Sequence, residues 1–421
     1  MVDIKLLVVQ ICVILAASYS VGWLLRKLRQ PQVVGEMVAG IMLGPSLFGW
    51  IAPGAFASLF PQNSLGPLSV LSQIGLLLFM FIVGLELDTQ KLRKLGHVAL
   101  VISHASIIVP FALGTLLALF LYPRVGDQSL PFTGFVLFMG AAMSVTAFPV
   151  LARILGEGNL LHTRLGSLTI VCAAVGDVTA WCLLAVIVAV VKSELNHLPL
   201  WQMLPGVLIY IALMLFVVRP IVRKLVTSQR DASKSDMTIA ALLVCMLASS
   251  WATEWLGIHA LFGAFCAGAI VPKANGFTED IAKRLQLPVV VLLIPLFFAF
   301  TGLRTSIGLI SSPDMILYCA LVFLVAIAGK FGGSTIAARI IGQPWRDAAS
   351  IGILMNTRGL VELVILNIGL EIGVLTRPLF TIMVLMAVGT TLMTTPILSL
   401  ISPHYEKEDL PSGTSAVSLS Q

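Results

Sequence analysis

The chain has 421 residues, of which 58% are hydrophobic and 11% charged, and its formal net charge is +6. Soluble domains carry about 25% charged residues, so this composition excludes a soluble fold and predicts a polytopic helical membrane protein. The basic excess sits in short turns between apolar spans, which excludes a nucleic-acid-binding face.

About 20 apolar residues cross a bilayer. On that measure the sequence predicts thirteen helices, over 4–25, 33–49, 68–86, 98–121, 131–154, 165–191, 201–218, 236–255, 258–272, 286–303, 315–338, 347–369 and 377–401. The second and ninth are short and are expected to be tilted or buried within the bundle. The first is followed by Arg26 and Lys27 rather than a small-residue cleavage site, so it reads as a span and not a signal peptide. Residues 402–421 are polar and are expected to form a disordered tail. The spans place nineteen of the 26 Lys and Arg in turns on one side and five on the other; Lys330 and Arg358 lie within spans. The positive-inside rule then puts the N-terminus outside and the C-terminus in the cytoplasm.

Short patterns recur seven helices apart. Gly35 and Gly40 in the second span match Gly263 and Gly268 in the ninth. Leu78-Phe79 and Gly84-Leu85 in the third match Leu296-Phe297 and Gly302-Leu303 in the tenth. Thr146 and Val150 in the fifth match Thr357 and Val361 in the twelfth. An odd offset turns the second copy upside down. Inverted repeats with discontinuous helices are the plan of many secondary transporters, with the site near the midplane at the repeat interface.

Four charges lie at that depth. Asp177 falls near the middle of the sixth span, where a carboxylate costs roughly 2.5–3.5 kcal/mol on insertion scales, so an ion or proton site is expected there. In the fifth span Pro149 lacks an N–H and frees backbone near Ser144 to Ala147. The Thr146 hydroxyl and the carbonyls of its neighbours, Ser144 among them, are hard oxygen ligands for a small cation; an ordinary proline kink is the other reading. In the twelfth span Asn356, Thr357, Arg358 and Gly359 form a polar break, and Arg358 and Glu362, four apart, share a helical face and can pair. That pair serves the field at the site, the fold, or both. Lys330 in the eleventh span is expected to pair with Asp177; the alternative is a structural cation facing helix-end carbonyls. Phe331 after it excludes a phosphate loop. Glu36 reads equally as a gate or as a snorkelling anchor. The six cysteines and the lone His104 and His259 read as core residues. Neither an enzyme motif nor a metal-ligand spacing is present, and no cofactor is expected.

These stretches resemble a known family. Gln32 to Glu36 with Gly44-Pro45, Leu78 to Asp88, Ser144 to Ala152, Ala173 to Trp181 and Met355 to Leu363 are similar to motifs of the monovalent cation/proton antiporter-2 family. That family includes bacterial sodium/proton antiporters, potassium-efflux systems and plant cation/proton exchangers. The resemblance implies an all-α fold of thirteen helices in two inverted repeats with crossed, discontinuous fifth and twelfth helices. It implies core helices over about 98–191 and 315–401, dimer and scaffold helices over about 4–86 and 201–303, and a homodimer in a bacterial inner membrane. Asp177 would bind the proton or the Na⁺ or K⁺, with Thr146 as a ligand and Lys330 as the partner base. Electrogenic members resemble Asp-Asp at 176–177; here position 176 is Gly, so one titrating acid and one-for-one, electroneutral exchange are expected. If Lys330 also releases its proton the count becomes two. No nucleotide-binding domain is expected after the last span. Two rival readings are a non-transporting sensor or scaffold on the same fold, and a symporter whose Lys330 and Arg358 receive an organic anion.

Overall fold

The computed structural model describes residues 3–86, 97–128, 132–158, 160, 163–196, 200–227, 233–257, 259–273 and 277–401. The basic turn with Lys91, Arg93 and Lys94, and the tail from 402 onward, lie outside the described residues. Among the described residues there is no strand.

The helices in order are α1 (Ile4–Lys27), α2 (Gln32–Leu43), α3 (Leu65–Glu86), α4 (His97–Val125), α5a (Phe132–Ser144), α5b (Phe148–Glu157), α6 (Arg164–Asn196), α7 (200–227), α8 (Ser233–Trp255), α9 (Ala260–Ala269), α10 (277–303), α11 (Pro313–Ile340), α12a (Trp345–Met355), α12b (Leu360–Glu371) and α13 (Arg377–Ile401). Among the described residues eleven stretches are long and apolar enough to cross a membrane, α2 only when continued through residue 51. The bent pair α12a and α12b, inclined at 43°, and the short apolar α9 complete the thirteen.

The limits of α9 and α10 differ from expectation for a physical reason. α9 starts at Ala260 because His259 Nδ1 accepts from the Leu261 amide and caps it, and it ends at Ala269, three residues before the expected limit. α10 starts nine residues early, on a polar turn with Asp280, Lys283 and Arg284 that a count of apolar residues does not see. Among the described residues three helices contain a π turn, at Met214–Val218, Val289–Leu293 and Ala328–Gly332. The first two precede Pro220 and Pro295, whose missing N–H leaves the carbonyls of Phe216 and Val291 without a helical donor. The third has no such proline and carries Lys330; π turns of this kind concentrate at functional sites.

The inverted repeat is visible in backbone contacts. A side chain at Gly40 of α2 would collide with the Phe298 carbonyl of α10, and one at Gly302 of α10 would collide with Gly40. In the other copy, Gly268 of α9 abuts the Phe81 carbonyl of α3 and Gly84 of α3 abuts the Phe265 carbonyl of α9. The matched glycines thus form two matched crossings. Gly35 against Gly22 of α1, and Gly263 against Ser249 and Ser250 of α8, form another. Small residues at these points let helices approach without side chains between them.

Candidate functional site

α5 and α12 unwind where they meet. Residues 145–147 are extended between α5a and α5b, and residues 356–359 separate α12a from α12b. Pro149 takes an early position of α5b, where its missing N–H costs nothing. Broken backbone survives at this depth only when protein satisfies it. Each break supplies the other: the Ala147 amide donates to the Thr357 carbonyl at 3.1 Å, and the Thr146 hydroxyl donates to the Met355 carbonyl at 3.2 Å. Thr391 of α13 braces the second break, accepting from the Arg358 amide at 2.9 Å and donating to the Arg358 carbonyl at 2.7 Å.

Two cations hold the C-terminal end of α5a. Arg358 donates to the Ala142 carbonyl at 3.1 Å, to the Met143 carbonyl at 2.8 Å and to Glu362 at 2.9 Å. Both side chains of this ion pair are fully buried. Lys330 donates to the Ser144 carbonyl at 2.5 Å, the Thr146 hydroxyl at 2.6 Å and the Ser106 carbonyl of α4 at 2.9 Å. Positive charge at a helix C-terminus is favourable, since the exposed carbonyls carry the negative end of the dipole. Close packing brings the lysine there: side chains at Gly329 and Gly333 would press on Pro110 and Val109 of α4 at 2.8 Å and 2.9 Å.

The expected pairing of Lys330 with Asp177 is therefore corrected. All three ammonium protons go to helix-end and hydroxyl oxygens, and neither Asp177 oxygen accepts a hydrogen bond. The three oxygens outcompete the carboxylate because the end of α5a and its unwound turn present two of them beside the Ser106 carbonyl of α4. Lys330 still lies within the electrostatic field of Asp177 and of Glu362. Asp177 is 4% exposed. The Phe148 amide, first in α5b, approaches its carboxylate without reaching hydrogen-bond geometry. The acid thus faces the positive end of one half-helix while the two cations cap the negative end of the other.

Asn356 is also buried with both amide atoms unpartnered, as is one Glu362 oxygen. The Ser144 hydroxyl turns back to the Ala141 carbonyl at 2.8 Å, so only its backbone oxygen faces the lysine. Gly359 lies where a side chain would strike Val150 of α5b at 2.6 Å, which keeps the crossing tight. Glu36 lies outside this cluster. It is buried in α2 rather than reaching for an interface, accepts from Gln32 at 3.2 Å, and sits in the field of Arg153 of α5b.

A cavity of about 270 Å³ lies between α3, α8, α9, α10 and α12b, with Gln73, Glu254, His259, Asn367 and Glu371 on its wall. Its rim is tied by Arg304, which meets Glu371 at 2.9 Å and Asn367 at 3.2 Å, and by Asn367 donating to Thr301 at 2.8 Å. Sequence reasoning missed Thr391, Ser103 and Ser106. The available signal was hydroxyl residues at helical spacing within otherwise apolar spans, namely Ser103 with Ser106 and Thr390, Thr391 with Thr394.

The family profile described as sodium/hydrogen exchanger, transmembrane, matches residues 13–401. The chain belongs to the sodium/hydrogen exchanger family. Among curated relatives it is 41% identical over 400 residues to the Na(+)/H(+) antiporter NhaS4 of Synechocystis, covering 94% of this chain and 97% of that one. It is 40% identical to the cation/H(+) antiporter 17 of Arabidopsis thaliana, covering 94% of this chain and 48% of the plant protein. It is 32% identical to the K(+)/H(+) antiporter 1 of Saccharomyces cerevisiae, covering 96% of this chain and 47% of the yeast protein. The chain thus spans nearly the whole cyanobacterial relative and about half of the plant and yeast ones. Its fold matches the sodium proton antiporter MjNhaP1 from Methanocaldococcus jannaschii with a TM-score of 0.60 at 13% identity, covering 94% of this chain and 98% of that one. The helical fold described above is thus shared with a sodium proton antiporter.

Proposed function

We propose that this exchanger trades Na⁺ or K⁺ for H⁺ at Asp177, one for one, by alternating access. The observation that carries the reading is a carboxylate buried at mid-membrane with both oxygens unpartnered, beside two helix breaks. Such a group must take up a proton or a cation, because an isolated buried charge is costly. The relatives, a cyanobacterial Na(+)/H(+) antiporter, a plant cation/H(+) antiporter and a yeast K(+)/H(+) antiporter, support exchange of Na⁺ or K⁺ for a proton.

Competition for one carboxylate is sufficient for exchange. The acid holds either ion, and the protein changes the side to which it opens only when the acid is occupied. Thr146 and the Ser144 carbonyl, now bonded to the Lys330 ammonium, are the oxygens that a bound cation would take over, with the Asn356 amide beside them. Arg358 and Glu362 hold the two breaks in register and keep the remaining charge balanced. Gly176 leaves a single acid at this position, so the exchange is electroneutral. Helices 98–191 and 315–401 form the unit that carries the site, and helices 4–86 and 201–303 form the frame and the homodimer contact. Glu36, on the frame and in the field of Arg153 on the moving unit, acts at the gate on one side. The N-terminus lies outside and the C-terminus in the cytoplasm of a bacterial inner membrane.

Proteoliposomes with the membrane potential clamped test this reading. Cation-dependent proton movement is expected with Na⁺ or K⁺, with no net current and no activity in Asp177→Asn. A net current, or rates that respond strongly to voltage, would sink the one-for-one count. Exchange that survives in Asp177→Asn would sink the site.

A further inference from the structure

A cation that binds at Thr146 and the Ser144 carbonyl must displace the Lys330 ammonium, so the ammonium needs somewhere to go. The structure offers one place. Ser103 of α4 is fully buried and its hydroxyl has no hydrogen-bond partner. Buried hydroxyls are almost always partnered, so an orphan in a native core asks for an explanation. Ser103 is one turn before Ser106, whose carbonyl already accepts from Lys330 and whose hydroxyl donates to the Ser103 carbonyl at 2.9 Å. The two serines therefore share one face of α4.

That face looks onto Gly176. Cys172 of α6 donates to the Ala99 carbonyl of α4 at 3.6 Å, which fixes the pairing of the two helices one turn earlier. At the next turn, a side-chain carbon built on Gly176 would have a single neighbour within 4 Å, the Ser103 hydroxyl at 3.7 Å. Most other buried glycines here abut backbone or side-chain atoms closer than 3 Å. Room and an unused acceptor thus lie together beside Asp177, within one turn of the present position of the lysine.

We propose that Ser103 and the space at Gly176 are a second berth for the Lys330 ammonium, occupied when the transported cation is bound. In the cation-free state the ammonium rests on Ser144, Thr146 and Ser106. On binding, the cation takes the first two oxygens, and the ammonium keeps the Ser106 carbonyl and turns to the Ser103 hydroxyl. No bond is made or broken covalently and no proton leaves the lysine. Ser103 is thus a positioning residue that acts through Lys330, and Gly176 is glycine because a larger residue fills the berth. The proposal rests on the exchange reading above and adds where the displaced charge goes.

The test is Na⁺ and K⁺ binding to purified, detergent-solubilised protein by calorimetry, alongside exchange in proteoliposomes. Ser103→Ala should weaken cation binding about tenfold, the value of one hydrogen bond to a charged group. In a Lys330→Met background the same change should have no effect, because no ammonium is displaced. Gly176→Ala, whose added carbon meets the Ser103 hydroxyl at ordinary contact distance and takes up the space of the berth, should raise the Kd for the transported cation similarly. Equal effects of Ser103→Ala with and without Lys330, or an unchanged Kd in Gly176→Ala, overturn the proposal. Loss of exchange in Asp177→Asn with unchanged binding in Ser103→Ala leaves the exchange reading standing and removes only the berth. Exchange that persists in Asp177→Asn removes the reading itself.

Discussion

At the scale of single residues, charge at the centre of the molecule is held by backbone oxygens more than by opposite charge. Arg358→Met leaves Glu362 as a buried unpaired acid and strips donors from the Ala142 and Met143 carbonyls. Breaking such a pair costs about 3–5 kcal/mol; thermal unfolding in detergent should show a large drop in Tm or loss of folded protein. Thr391→Val keeps the shape of α13 but removes both bonds to the Arg358 backbone. A loss of about 1–3 kcal/mol is expected by the same measurement. The four charges were legible in the sequence because ionisable groups are rare in apolar spans. The helix-end carbonyls that hold Lys330 were read from the sequence only as the alternative, since charge counting pairs a lysine with a free acid first. The oxygens that win belong to an unwound turn and to α4, and backbone carbonyls carry no sequence signature.

At the scale of helices, the two breaks are one object. Pro149 signals the break in α5, but what keeps residues 145–147 extended is the bond from Ala147 to Thr357. Pro149→Ala is therefore expected to leave the break in place, and the folded protein should retain cation binding within about threefold, well under the tenfold that marks a lost charged hydrogen bond. Titration calorimetry measures this, and complete loss of binding would mean that the proline, not the partner break, sets the geometry. The glycine patterns at an offset of seven helices predicted an inverted repeat. They could not reveal that the matched glycines touch crosswise, α2 on α10 and α9 on α3. That information lies in the packing of four helices distant in the chain. The amphipathic start of α10 escaped notice for the opposite reason, because a helix with polar turns at the surface needs no apolar run.

At the scale of the whole molecule, exchange requires one set of helices to move against another. Asn367 of α12b and Thr301 of α10 are joined by a short hydrogen bond at the cavity rim. A disulfide formed in the double variant Asn367→Cys, Thr301→Cys would fix those helices together. Exchange should stop on oxidation and return on reduction; undiminished turnover in the oxidised protein would place the motion elsewhere. The pH dependence follows from competition for one acid. Where that carboxyl is mostly protonated, each unit fall in pH should raise the apparent KM for the cation about tenfold, and a slope near one-hundredfold would signal two protons. Initial rates at fixed potential measure it.

The glycine crossings have a mechanical consequence. Where Gly40 meets Gly302 and Gly84 meets Gly268, main chain rests on main chain, with no rotamers between them to reshuffle. Such joints are stiff, since a side-chain layer yields by changing rotamer and a peptide plane does not. Amide deuterium exchange should therefore be slowest along these four stretches and faster around residues 145–147 and 356–359. The stiff joints thus lie in α2, α3, α9 and α10 and the unwound turns in α5 and α12, so rigid contacts and broken helices occupy different parts of the bundle.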